Sequence, residues 1–286
     1  MQLLERRQFH RFSAWALAST FLLRWQGKSR PRLAFVLGDH EYSSERTLPL
    51  FAAEFGRAFD VDCVVLRSWP DQNAEESIPG LEWLDVCDAA LFFLRWRRLQ
   101  SEQLAHIDAF LRAGKGVVGM RTTTHAFNYP SGHPSARWNA FGEFALGGPP
   151  GWGAGGHTHY GHTSRTRVEL APGAGDSELL RGVSGPFEVR SWLYHVVPDY
   201  PAKAATSLLI GTSLEPEHGP AVPSPVAWTW HNEWKGRAFM TTLGHPEDFR
   251  AAALQRLLAN GLLWSLGRDV PTDWSGPWKI DVVYRG

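Results

Sequence analysis

The chain has 286 residues, and its 29 Lys and Arg balance its 29 Asp and Glu, so the formal net charge is zero. That balance leaves no basic field to gather nucleic acid or another polyanion, and the length suits one large domain with a substantial core. The 14 Trp residues offer flat apolar faces that suit either a core or a sugar ring, and the two cysteines, Cys63 and Cys87, read as buried thiols or one bridge, too few for a disulfide scaffold.

In chain order, residues 1–30 stand apart. Arg6-Arg7 precedes an apolar stretch from Phe12 to Leu23, a pattern that resembles a twin-arginine export signal and predicts a periplasmic protein. No Ala-x-Ala cleavage site follows, so an N-terminal helix on a cytoplasmic protein is the alternative; the apolar run, about a dozen residues, is short for a bilayer span. Leu33–Leu37, Cys63–Leu66, Ala89–Leu94 and Gly116–Met120 then read as strands buried on both faces. Between them lie helices, one with Leu48, Phe51, Phe55 and Phe59 on one stripe and Pro49 in its first turn, one capped by Ser101 and stopped by Gly114. This alternation predicts an α/β fold with a doubly wound, mostly parallel sheet.

Residues 128–163 are rich in Gly, Pro, His and Trp, and only Trp138–Leu146 has a helical pattern. A loop-rich segment of that length inside a domain points to function. Strand-like runs return at Thr166–Leu170, Ser207–Ile210, Pro225–Trp230 and Arg237–Thr242. A last helix is expected from near Pro246 to Gly267, and residues 269–286 form a tail along the surface.

Polar clusters fall at the predicted strand ends: Asp39, His40 and Glu41 after the first, Arg95 after the third, Arg121 to His125 after the fourth, and His245 after the last. In an open α/β sheet such ends share one rim, where ligands bind. Asp39 suits either a helix cap or an acid–base role. Arg121 has the fork geometry to pair with Asp39 or Glu41. His245 could cap the last helix, whose dipole would keep it neutral and able to act as a base. His157, His159 and His162 could ligate a divalent metal such as zinc, or hydrogen-bond sugar hydroxyls. No Gly-x-Ser-x-Gly elbow is present, and no Gly-x-Gly-x-x-Gly follows the first strand, so dinucleotide binding has no support.

Six ordered segments carry a family likeness: Gly38-Asp39-His40-Glu41-Tyr42, Ile78-Pro79-Gly80-Leu81-Glu82, Gly119 to Phe127, Trp138-Asn139-Ala140-Phe141-Gly142, Gly161-His162 and Thr241 to Phe249. Through them, residues 31–268 resemble the ThuA-like (trehalose utilisation) proteins of the class I glutamine amidotransferase-like superfamily. The resemblance implies a flavodoxin-like three-layer α/β/α fold with a strand-to-helix elbow at Arg121. True amidotransferases place a Cys there; Gly119-Met120-Arg121-Thr122-Thr123 has none, so thiolate glutaminase chemistry is not expected.

The resemblance further implies a carbohydrate ligand, a disaccharide or keto-sugar. On that reading Asp39, Glu41, Arg121, His125, His162 and His245 are the catalytic candidates, and His40, Arg95, Thr124, Trp138, Asn139 and Tyr160 the substrate-binding ones. Hydrolase, lyase and isomerase chemistry all fit, as does homo-oligomerisation. A non-catalytic sugar-binding or interaction module on the same fold is the alternative.

Overall fold

Unbroken apolar runs dictate strands covered on both faces, and in β1 (Arg32–Gly38) every residue after Arg32 is buried. The computed structural model describes residues 29–149, 157–196 and 200–284, so the export-signal reading lies almost wholly outside the described residues. Pro31–Gly286 is one compact unit, and among the described residues no helix is long and apolar enough to cross a membrane.

The elements follow as α1 (Ser44–Phe59), β2 (Asp62–Arg67), β3 (Ala89–Leu94), α2 (Ser101–Arg112), β4 (Gly116–Met120), α3 (Phe141–Phe144), β5 (His157–His159), β6 (Arg165–Leu170), β7 (Phe187–Val189), β8 (Tyr194–Val196), β9 (Thr206–Leu214), β10 (Ser224–His231), β11 (Arg237–Thr241) and α4 (Ala252–Ser265). Among the described residues, nine strands form one sheet in the order β2-β1-β3-β4-β11-β10-β9-β6-β7. The pairs from β2 to β11 are parallel, and this half has the flavodoxin-like 2-1-3-4-5 order with β11 in fifth place. Beyond β11 the sheet continues antiparallel. β5 and β8 pair separately.

Alternation along the strands divides the core in two. Leu33, Phe35 and Leu37 join α1 and α4 through Phe51, Phe55, Leu254 and Leu258. Ala34, Val36 and Phe92 join α2 and α3 through Leu104, Ile107, Phe110 and Phe141. Helices thus cover both faces, and each buried Leu or Phe side chain stabilises the fold by about 1.5–3 kcal/mol.

Three local expectations are corrected. Pro49 lies inside α1, beyond its first turn; it has no N–H for the Glu45 carbonyl, which instead accepts from Arg67 NH1 at 3.4 Å. Ser101 is the first residue of α2 and makes no cap bond; its hydroxyl faces Glu102. The last helix starts later than expected: Pro246–Arg250 is a 3-10 turn, and Ala251, at φ −79° and ψ 115°, separates it from α4. Cys63 and Cys87 are both free.

Candidate active site

The elbow after β4 is built by close packing. A Cβ on Gly119 would come within 2.5 Å of Met240 Sδ and 2.6 Å of Leu146 Cδ1, so a larger residue in β4 would have to push both side-chain ends aside. The chain then turns at Arg121, whose φ of 47° is left-handed, a backbone state that a non-glycine residue holds only when its surroundings over-determine it. Thr123 supplies one restraint: its hydroxyl lies 2.6 Å from Met120 O and 2.7 Å from Phe92 O, and accepts from Leu94 N at 3.2 Å.

Arg121 supplies the others. Its buried guanidinium donates to Trp192 O at 2.9 Å, Thr242 O at 2.8 Å and Tyr42 Oη at 3.2 Å. It also lies 4.2–5.3 Å from the ring centres of Tyr194, Tyr42 and Trp192, an aromatic cage for a cation. The expected pairing with Asp39 or Glu41 is therefore corrected: carbonyls and ring faces hold Arg121. Asp39 is taken up elsewhere, accepting from the amides of Glu41 and Tyr42 at 2.7 Å and Ser44 at 3.1 Å, where it caps the entry to α1. Glu41 pairs with Arg95 at 2.8 Å.

His245 sits beside this cage, 5.9 Å from the Trp192 ring, 6.2 Å from Tyr42 and 4.5 Å from Tyr284. It is the N-cap of the 3-10 turn, with Nδ1 accepting from Glu247 N at 3.2 Å. Because Nδ1 accepts, the proton of the neutral ring resides on Nε2. Nε2 is buried and has no hydrogen-bond partner among the described residues, and the same holds for Arg121 Nε. Burial, then the charges of Arg121, Arg190 and Arg250, push the His245 pKa down to about 3. Desolvation, rather than the helix dipole, keeps the ring neutral, and what it presents is a donor N–H.

A buried carboxylate holds this corner together. Asp248 accepts from the amides of Arg190, Ser191, Gly244 and His245 and from the Ser191 hydroxyl at 2.5 Å. Burial raises its pKa against those hydrogen bonds. Arg190 in turn donates to the carbonyls of Ser164 and His162, fixing the His-containing loop.

In that loop His159 and His162 stack at 4.7 Å, and both rings lie against Trp192. His159 Nδ1 accepts from Gly161 N at 3.1 Å, and burial together with His162 and Arg121 pushes its pKa down to about 4. The 25° interplanar angle presents the two rings face to face rather than lone pairs to one point. Among the described residues no group of three or more His, Cys, Asp or Glu could hold a metal ion; the side chain of His157 lies outside them.

His125 is buried at the end of the 3-10 turn that Arg121 opens, and its ring edges onto Tyr194 at 6.0 Å.

 Thr124 lies between them, its hydroxyl 3.3 Å from His125 Nδ1. At the β1 and β3 ends, Arg95 NH1 lies 2.5 Å from His40 Nε2 and Arg97 NH2 lies 2.8 Å from Nδ1. A neutral imidazole accepts at one nitrogen only, so the two arginines compete for it. Burial and those two charges lower the His40 pKa. Beside them a cleft of about 450 Å³ is lined by Asp39, Glu45, Ser68, Trp69 and Gln72, and a second of about 250 Å³ by His40, Glu41, Glu45 and Gln72.

Three expected substrate contacts are corrected. Trp138 is buried between Phe127, Phe141 and Phe144 in the core. Asn139 spends its amide on the backbone N–H and carbonyl of Tyr129. Tyr160 is buried, stacks on His195, and accepts from Val222 N. Sequence reasoning missed Tyr42, Trp192 and Tyr194 as cage residues and Tyr284 beside His245. The alternation Trp192-Leu193-Tyr194-His195 was the available signal for two of them.

Residues 76–265 match the ThuA family profile, described as trehalose utilisation. The fold is similar to a crystal structure of a protein of Parabacteroides merdae described as ThuA-like, at TM-score 0.60 and 17% identity, over 85% of this chain and 92% of that one. It is also similar to the mmIFT52 N-terminal domain, at TM-score 0.47 and 8% identity, over 84% of this chain and 99% of that one. No curated protein matches the sequence.

Proposed function

The chain belongs to the ThuA (trehalose utilisation) family, and from that premise we propose that it acts on a carbohydrate, a disaccharide or keto-sugar, at the rim where Arg121 and His245 meet. The observation that carries this reading is the orphaned Nε2–H of His245, a neutral donor beside a buried cation. A neutral imidazole of fixed tautomer can polarise a carbonyl or glycosidic oxygen without first losing a proton. Arg121 holds the elbow and adds positive potential at the same point. Glu41 is the carboxylate partner in this scheme: its charge reaches Tyr42, Tyr194 and Tyr284 around the cage. His162, exposed on the loop, and His125, buried in the elbow, are the further proton carriers proposed.

Binding without turnover is the second reading. It is favoured by the depressed basicity of His245 and His159, at about 3 and about 4, which leaves neither a strong base near neutral pH. Incubating the protein with trehalose and with a keto-disaccharide, and following the anomeric protons by NMR, separates the two. The proposal expects turnover of one sugar, lost in Glu41→Gln and His245→Asn while calorimetric binding persists. Binding without turnover in the unmodified protein supports the second reading, and a protein that neither binds nor converts these sugars overturns both.

A further inference from the structure

The segment after α4 runs as a strap over α1 and the start of α4. Trp278 is buried against Phe51 and Phe59, and the Gln255 side chain bonds both its backbone N–H and its carbonyl, at 2.8 and 2.9 Å. Ile280 and Val282 are buried. Asp281 accepts from Arg250 Nε at 2.9 Å and NH2 at 2.8 Å, and Val283 O accepts from Arg46 NH1 at 3.3 Å. These anchors deliver the half-buried ring of Tyr284 to the cage.

There Tyr284 lies 4.5 Å from His245, 6.4 Å from Tyr42 in a stacked arrangement and 6.5 Å from Trp192. A saccharide ring held between two faces needs them roughly 7–8 Å apart, twice the carbon contact distance. The observed spacings are shorter, so the phenol ring fills the space above His245. The clefts that open at this rim, lined by Asp39, Trp69 and Gln72 and by His40 and Glu41, lie beside the cage.

We infer that residues 281–284 are a gate and that Tyr284 holds a ring-sized subsite, which a pyranose ring takes when the strap lifts and its oxygen accepts from His245 Nε2–H. The identity of the ring rests on the carbohydrate reading above; the gate does not. Anchoring falls off toward Tyr284: Trp278, Ile280 and Val282 are buried, Val283 is exposed, and the Asp281–Arg250 pair is exposed and worth little on its own. The strap therefore lifts from its Tyr284 end. A gate open about one-tenth of the time costs a ligand about tenfold in apparent affinity, which removal of the gate restores.

The test has two arms. Without any sugar, histidine C2–H deuterium exchange read by mass spectrometry reports access to each imidazole. His245 is expected to exchange about tenfold faster in Tyr284→Ala and measurably faster in Asp281→Ala, with His106 on α2 unchanged as the internal control. An unchanged His245 rate in both variants overturns the gate. With trehalose as probe, calorimetry is expected to give about tenfold tighter binding to Tyr284→Ala. Weaker binding would make Tyr284 a wall of the site and overturn the inference. Faster exchange with no binding of trehalose or of the keto-disaccharide in any variant upholds the gate and refutes the carbohydrate reading instead.

Discussion

Arg121 occupies a position whose backbone is left-handed, with φ at 47°, and such a state costs about 1–2 kcal/mol outside glycine. What holds it there is the guanidinium, which ties two carbonyls from distant parts of the chain, Trp192 O and Thr242 O, to the elbow. Both carbonyls accept from NH1 while NH2 reaches Tyr42 Oη; lysine can supply the charge but not that planar fork, so Arg121→Lys leaves at least one of these buried acceptors without its donor. The expected loss is about 1–3 kcal/mol, the cost of leaving a buried acceptor unsatisfied, read as a lower urea midpoint with an unchanged slope. A loss within 1 kcal/mol, on the order of a surface substitution, would show that the elbow does not depend on the fork. The place of Arg121 was legible because a buried strand ending in a polar turn is a local pattern. Its partners were not, because a guanidinium donates to carbonyls as well as to carboxylates, and Trp192 lies 71 residues away in sequence.

The same division between local and distant information holds for elements. The parallel strands and the two long helices between them are continuous apolar patterns, readable without context. β5, β7 and β8 are three residues each, too short for any period, and only pairing creates them. The turn before α4 shows how such pieces acquire function. Asp248 Oδ2 accepts from the amides of Gly244 and His245, while Oδ1 accepts from those of Arg190 and Ser191, so one carboxylate joins the end of β11 to the segment carrying Trp192. Asp248→Asn places an NH2 group against backbone donors on one side and breaks that joint. The expected result is a cost of about 2–4 kcal/mol, with amide exchange at residues 190–191 and 244–245 accelerating more than in the core strands. Uniform acceleration across the sheet would mean that Asp248 serves global stability and does not specifically join the two segments.

At the scale of the whole molecule, the doubly wound half and its rim were legible, since buried runs and the polar residues ending them recur at regular spacing. The antiparallel extension, and the strap that brings Tyr284 over His245, arise from packing between segments far apart in the chain and leave no periodic trace. Their consequence is a pH dependence that belongs to the assembled rim. His245 and His159 have folded pKa values near 3 and 4 against an ordinary 6.5. Above pH 6.5 both states carry neutral rings, and their contribution to stability is fully present. As pH falls below 6.5 the unfolded chain takes up protons that the folded one refuses, so stability is lost at up to about 1.4 kcal/mol per pH unit for each ring until the folded pKa is reached. Asp248, whose pKa is raised by burial, works in the opposite sense, because it loses stability as pH rises through its folded value. A difference between variants cancels that term and the remaining imidazoles. His245→Asn keeps an N-cap acceptor for the Glu247 amide and removes one titrating ring. Urea unfolding from pH 7 to pH 4.5 should therefore show the unmodified protein losing about 2 kcal/mol more than the variant, with the two converging as pH falls. Parallel stability curves would mean that His245 is protonated at its ordinary pKa in the folded protein, which is incompatible with a buried neutral donor beneath Tyr284.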